Sequence, residues 1–164
     1  MKRGSALRSE EVVSRAIHQY ASMVQRICFI HLKNEADTDD IFQTVFLKYA
    51  MSTVEFQSDA HEKVWLIRVT VNACKDLLKS FFRKHTVPFD EYIEQAGVTD
   101  LHHYELLEAV ISLPEKYRRV VYLHYYEGYT APEISEILGV KVNTVYTHLA
   151  RGNDLLRDAL GGEV

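Results

Sequence analysis

The stretch GYTAPEISEILGVKVNTVYTHLARG, residues 128–152, holds two short helical patterns split by Gly139 and a Val140-Lys141-Val142 step. Thr130-Ala-Pro-Glu133 has the spacing of a capping box, which predicts a helix start there. Ile134 and Leu138 give that helix one apolar face, and Gly139 suits the left-handed position that ends it without a Cβ penalty. Val142, Val145 and Leu149 predict a second helix buried against the first. Asn143, Thr144, Tyr146, Thr147, His148 and Arg151 are left facing outward. The pattern is that of a helix-turn-helix, in which the first helix braces the second so that its polar side can enter a major groove about 12 Å wide. An αα-hairpin in an ordinary bundle has the same apolar spacing. The two capped helices, the glycine at the turn and the hydroxyl, amide and cationic outer face go beyond that spacing and favour DNA.

Helical periodicity governs the rest of the chain as well. Ser9 followed by Glu10 and Glu11 predicts a helix start, with Val13, Ile17, Tyr20, Val24, Ile27 and Cys28 recurring to Asn34. A second helix is expected from near Asp37, with Ile41, Phe42, Val45, Phe46 and Tyr49 on one face and Asp39, Asp40, Gln43 and Lys48 on the other. MSTVEFQSDA (51–60) reads as a loop, and a long helix follows from about His61 with Leu66, Val69, Ala73, Leu77 and Phe81 as its core stripe. Residues 85–104 contain Pro88 and Gly97 and lack periodicity, so they read as a linker. Helices resume at about Glu105. Ser112-Leu-Pro-Glu115 again has capping-box spacing, before Val120, Val121, Leu123 and Tyr125. There is no alternating strand pattern and no internal repeat. The expected fold is all-α: two small helical domains, 1–85 and 105–164, joined by a linker at 86–104.

The net charge of −4 argues against nucleic acid only as an average. Residues 1–85 hold 13 Lys and Arg against 10 Asp and Glu, residues 86–110 hold six acids and no base, and residues 111–164 hold six bases against seven acids. A basic front, an acidic middle and a near-neutral tail share no single surface. No run of about 18 apolar residues exists, so no membrane insertion is expected. The amino terminus MKRGSALRSEEV lacks the apolar stretch of a secretory signal, and a cytoplasmic address is expected. Cys28 and Cys74 sit in apolar helical patterns and read as buried thiols. His102 and His103 are adjacent, point apart on a helix and have no partner at ligand spacing, so they read as solvated residues, and no metal or cofactor is expected. Tyr122, Tyr125, Tyr126 and Tyr129 read as helix packing and His124 as a core or boundary residue.

A helix-turn-helix with so few cations holds DNA poorly, because phosphate neutralisation supplies most non-specific affinity. Along the long helix, Trp65, Arg68, Asn72, Lys75 and Lys79 follow 3-4-3-4 spacing on one face, with Arg83 and Lys84 beyond. One aromatic, one amide and several cations suit unpaired nucleic acid, where bases stack and the backbone meets positive charge. Taken singly, a core tryptophan and cations complementing a helix C-terminus account for the same residues. Two rival functions share the pattern. A stand-alone helix-turn-helix regulator would dimerise, bind duplex unaided and keep a ligand pocket in its other domain. A recombinase with a helix-turn-helix tail needs a catalytic domain, and residues 1–85 show no strands and no Ser, His and Asp constellation, so no enzyme is expected.

Three motifs in order, DTDDIFQTVFLKYA (37–50), WLIRVTVNACKDLLK (65–79) and LPEKYRRVVYLHYYEGYTAPEISEILGVKVNTVYTHLARG (113–152), resemble the extracytoplasmic-function (ECF) sigma factors of bacterial RNA polymerase over nearly the whole chain. The resemblance implies that 1–85 is sigma region two and 105–164 sigma region four, with core polymerase and promoter DNA as partners. It implies that Asp39, Asp40, Gln43 and Phe46 dock on the β′ clamp helices, and that region four meets the β flap. The loop at 52–60 and the following helix would melt the −10 element, with Trp65, Arg68, Asn72, Lys75 and Lys79 at matching positions. The recognition helix would read the −35 element through Lys141, Asn143, Thr144, Tyr146, Thr147, His148 and Arg151. The acidic linker would thread toward the active-site cleft and RNA exit channel, and an anti-sigma factor is an expected further partner. Where the family usually has lysine, serine and arginine, this chain has Tyr146, Thr147 and His148. A neutral histidine still donates one hydrogen bond and adds pH dependence near its pKa of about 6.5. Lys79 stands where arginine is common, keeping the charge and losing the fork.

Overall fold

The structure, a computed structural model, describes residues 7–80 and 101–161, with side chains omitted at 101–105. These residues fall into two compact units, one within Met1–Thr86 and one within Val87–Val164. The first contains α1 (Glu10–Leu32), α2 (Glu35–Met51) and α3 (Asp59–Ser80). The second contains α4 (Leu101–Ser112), α5 (Glu115–Val121) running into a π-turn (Tyr122–Tyr126), α6 (Ala131–Leu138) and α7 (Val142–Ala159). Among the described residues there is no strand, and no helix is long and apolar enough to cross a membrane.

In the first unit each helix packs on the other two. Tyr20, Val24, Ile27 and Ile30 of α1 meet Ile41, Val45 and Tyr49 of α2 and Leu66, Ile67, Val71 and Cys74 of α3 in a core from which water is excluded. Cys28 and Cys74 are both buried. Ser9 caps α1 as its sequence predicts, its hydroxyl accepting from the Val12 N–H at 3.3 Å. The corner to α2 is tighter than expected. Lys33 takes a left-handed conformation (φ 58°) and Asn34 caps α2, accepting from the Asp37 N–H at 2.8 Å while its amide donates to the Asp37 carboxylate at 2.6 Å. The cap places the start of α2 at Glu35 rather than Asp37. The core stripe of α3 is also rotated from the expected one: Leu66, Ile67, Thr70, Val71, Ala73 and Cys74 are buried, whereas Val69 and Leu77 are half-buried. Phe81 lies outside the described residues. The helix is covered by two neighbours, so its apolar arc is wider than one stripe.

In the second unit α7 packs on α5 and α6. The expected linker at 86–104 lies outside the described residues up to residue 100, and residues 101–104 are already helical, since no breaker separates them from the apolar pattern that follows. The capping box at Ser112 does not form. Ser112 is still the last residue of α4 and its hydroxyl donates to Ala109 O at 2.8 Å; Pro114 is the N-cap of α5, which puts Glu115 at the first helical position instead of the third. Buried Arg118 does the work there, its Nε and Nη2 donating to Leu113 O at 3.1 and 2.9 Å. The box at Thr130 is complete: the Thr130 N–H donates to Glu133 Oε1 at 3.0 Å and the Glu133 N–H to Thr130 Oγ1 at 3.4 Å. The Thr130 N–H, and after it the Thr130 hydroxyl that donates to Glu133 Oε1 at 2.9 Å, lower the Glu133 carboxyl pKa.

Candidate nucleic-acid interface

The turn between α6 and α7 is built as the sequence implies. Gly139 is left-handed (φ 67°) and its N–H closes α6 on Ser135 O at 2.9 Å, while Ser135 Oγ donates to Val140 O at 2.5 Å. Ile134 and Ile137 bury α6, and Val145, Leu149 and Leu156 bury α7. Leu138 and Val142, both expected in the core, are half-buried. Gly152, on the buried side of α7, sets how close that helix comes to α5. A Cβ there would lie 2.6 Å from Val121 Cγ2.

On the opposite side of α7, Lys141, Asn143, Tyr146, Thr147 and Arg151 are exposed and Thr144 and His148 half-buried. Tyr146 is 56% exposed, free to lay its ring on a backbone or a thymine methyl. Thr147 spends its hydroxyl proton on Asn143 O (2.9 Å), so it meets a ligand as an acceptor. His148 packs edge-on against Tyr117, with ring centroids 5.4 Å apart. Burial lowers its pKa, and the charges of Lys116 and Arg119 lower it further, so the imidazole is neutral at pH 7. The N-cap of α7 is Lys141, an exposed residue whose side chain makes no capping hydrogen bond. The face is polar, cationic and presented as one helix edge.

In the first unit, α3 carries Arg68, Asn72 and Lys79 exposed and Lys75 half-buried, the spacing expected for a stripe along a backbone. Trp65 is different. It is half-buried in an aromatic cluster, edge-on to Tyr49 (6.1 Å) and Phe56 (5.6 Å), so it is a wall of the site rather than a free stacking platform. On α2, Asp39, Asp40 and Gln43 are exposed, whereas Phe46 is 5% exposed and packs on Phe42 at 4.8 Å. Phe46 is therefore core, because it shares the inward arc with Val45 and Tyr49. The apolar residues that α2 does present are Leu47 and Met51, 62% and 53% exposed. Their signal was in the sequence: Gln43, Leu47 and Met51 are four apart, off the 41-45-49 core row.

At the start of α3, Glu62 is buried with Arg15 Nη2 at 2.9 Å and the Tyr49 hydroxyl at 2.7 Å. Burial alone would raise the Glu62 pKa, but the hydrogen bonds from Arg15 and Tyr49 outweigh it and the net shift is down. The Tyr49 phenol is pushed up to about 12, by burial and then by Glu62. No motif announced this network. Among the described residues no cluster of His, Cys, Asp and Glu is arranged to hold a metal.

Comparison with known proteins places this geometry. Residues 16–84 match the family model of sigma-70 region 2, and residues 103–153 that of sigma-70 region 4. RNA polymerase sigma factor SigV of Bacillus subtilis is 34% identical over 142 residues, covering 84% of both chains. The chain belongs to the ECF sigma factors of RNA polymerase. ECF sigma factor SigE of Mycolicibacterium smegmatis is 30% identical over 154 residues, covering 88% of this sigma factor and 60% of that one. The fold is that of the sigma factor RpoE of Bartonella quintana, solved with the anti-sigma factor NepR: TM-score 0.73 at 14% identity, covering 94% and 99% of the two chains. It is also that of CnrH, solved with the cytosolic domain of CnrY, at a TM-score of 0.65 and 20% identity, covering 95% and 92%. Sigma factors are initiation factors, not enzymes. The helix-turn-helix thus belongs to region four and the cationic helix to region two.

Proposed function

We propose that this sigma factor docks on core RNA polymerase in the cell interior and there opens and reads promoters with its two units. Asp39, Asp40 and Gln43, joined by exposed Leu47, meet the β′ clamp helices. The loop at 52–58 and the α3 residues Arg68, Asn72, Lys75 and Lys79 take the unpaired strand of the −10 element, with Trp65 shaping the wall behind them. Unpairing costs a few kcal/mol, which a shaped surface and cationic helix offset. Lys141, Asn143, Thr144, Tyr146, Thr147, His148 and Arg151 read the −35 element as duplex, region four resting on the β flap. The RpoE structure holds the anti-sigma factor NepR, which supports such a partner here, one that covers the polymerase-facing and DNA-facing surfaces.

The observation that carries this reading is the pairing, in one chain, of a region-two match over the cationic helix with a region-four match over the helix-turn-helix. Neither unit alone has the cations for tight binding, and core polymerase supplies the effective concentration that makes the second contact nearly intramolecular. In vitro transcription with bacterial core enzyme, the purified chain and genomic DNA tests it. Mapped start sites are expected to share upstream sequences near −10 and −35; association without directed starts would overturn it.

A further inference from the structure

We propose that Arg8, in the segment leading into α1, is a positioning residue that holds the loop at 52–58 in its working shape. The inference rests on the reading of that loop as part of the −10 machinery. The Arg8 backbone N–H donates to Ala50 O at 2.9 Å and its Nε to Tyr49 O at 3.0 Å, fixing it on the last turn of α2. Its Nη2 then donates to Val54 O, inside the loop. The same guanidinium lies over two rings, 4.8 Å from the centroid of Tyr49 and 4.9 Å from that of Phe56. Those rings are parallel to within 2°, with centroids 6.0 Å apart. One planar cation thus joins a helix end, a loop carbonyl and the loop's aromatic anchor.

Among the described residues the other hydrogen bonds of the loop are local. Ser52 N–H donates to Tyr49 O at 3.2 Å, Val54 N–H to Ser52 Oγ at 3.1 Å and Gln57 N–H to His61 Nδ1 at 3.2 Å. Local bonds shape a turn without fixing where it points. Arg8 adds a tie from a segment outside the α2-loop-α3 run, and with Phe56 turned inward the side chains of Thr53, Glu55 and Gln57 stay exposed. A guanidinium serves both carbonyls and both rings through its fixed planar fork, which an ammonium cannot do. Capturing a base that unpairs only transiently depends on the fraction of time the loop is in its competent shape. When the strand is already unpaired, that fraction no longer limits the rate of opening.

The test uses full-length Arg8→Lys and Arg8→Met chains with core polymerase. The template is the strongest promoter from the mapping experiment, as duplex and with a mismatched −10 region. Open-complex formation is followed by 2-aminopurine fluorescence in the −10 element. Both variants are expected to open the duplex about five-fold or more slowly, while transcript yield from the mismatched template stays within about two-fold of the parent and core affinity is unchanged. A parental rate for Arg8→Lys would overturn the inference, as would equal losses on both templates, which mark a generally loosened fold. A chain with Thr53, Glu55 and Gln57 all changed to alanine separates the two levels. If it opens duplex at the parental rate, the reading of the loop fails and the inference with it; if it is slow while both Arg8 variants are normal, the inference alone fails.

Discussion

Glu62 keeps its charge inside the first unit because Arg15 and Tyr49 both donate to it. Its pKa is depressed in the folded state, so the unfolded chain binds the extra proton first and stability is lost as pH falls below the ordinary carboxylate range of about 4.3. Trp65, the only tryptophan, reports unfolding of this unit by fluorescence. Glu62→Gln is expected to cost about 1–2 kcal/mol at pH 7, at the low end for a charged hydrogen bond because Arg15 is half-exposed, and progressively less as the pH falls through the carboxylate range. His148 works in the opposite sense. Its pKa lies below the imidazole reference of about 6.5, so −35 duplex binding by holoenzyme is expected to be flat from pH 7 to 8 and to strengthen only as the pH falls below that value. His148→Gln should remove that rise, read by a fluorescence anisotropy titration. Neither environment is legible in the sequence: Tyr117 and His148 are 31 positions apart, and Arg15 and Glu62 47, so only folding brings them into contact.

Helix ends were legible where the signal is local. Ser9, Thr130 and Gly139 do what their types and spacing imply, because capping involves residues within four positions of one another. Ser112 failed because Pro114 decides the start of α5 first. The cap at Asn34 is buried and doubly bonded to Asp37, and Asn34→Ala is expected to lower the stability of the first unit by about 1 kcal/mol in urea unfolding. Gly152 sets a sharper test of element packing. Alanine in a helix normally gains up to about 1 kcal/mol over glycine, yet here its Cβ would press on a buried valine methyl 2.6 Å away. Gly152→Ala is therefore expected to destabilise the second unit by about 1–2 kcal/mol, measured by circular dichroism. Nothing in the helical periodicity marks that glycine, since it answers to how closely α7 and α5 meet.

At the scale of the whole molecule, the proposed function has two weak binding faces act on one promoter through polymerase. A protease site inserted between residues 86 and 100 is expected, once cut, to leave both units folded and each still able to bind its own target weakly, while start-site-specific transcription falls at least about 100-fold. Runoff transcription before and after cleavage measures it. The sequence by itself determined the helical class, the order of the units, the turn at Gly139 and the polar edge of α7, because periodicity, capping and charge are properties of neighbours along the chain. Tertiary structure alone decided that Trp65 packs edge-on against Tyr49 and Phe56 and that Arg8 reaches the 52–58 loop. A helical repeat defines an arc of residues, and which part of that arc is covered depends on where the other helices lie.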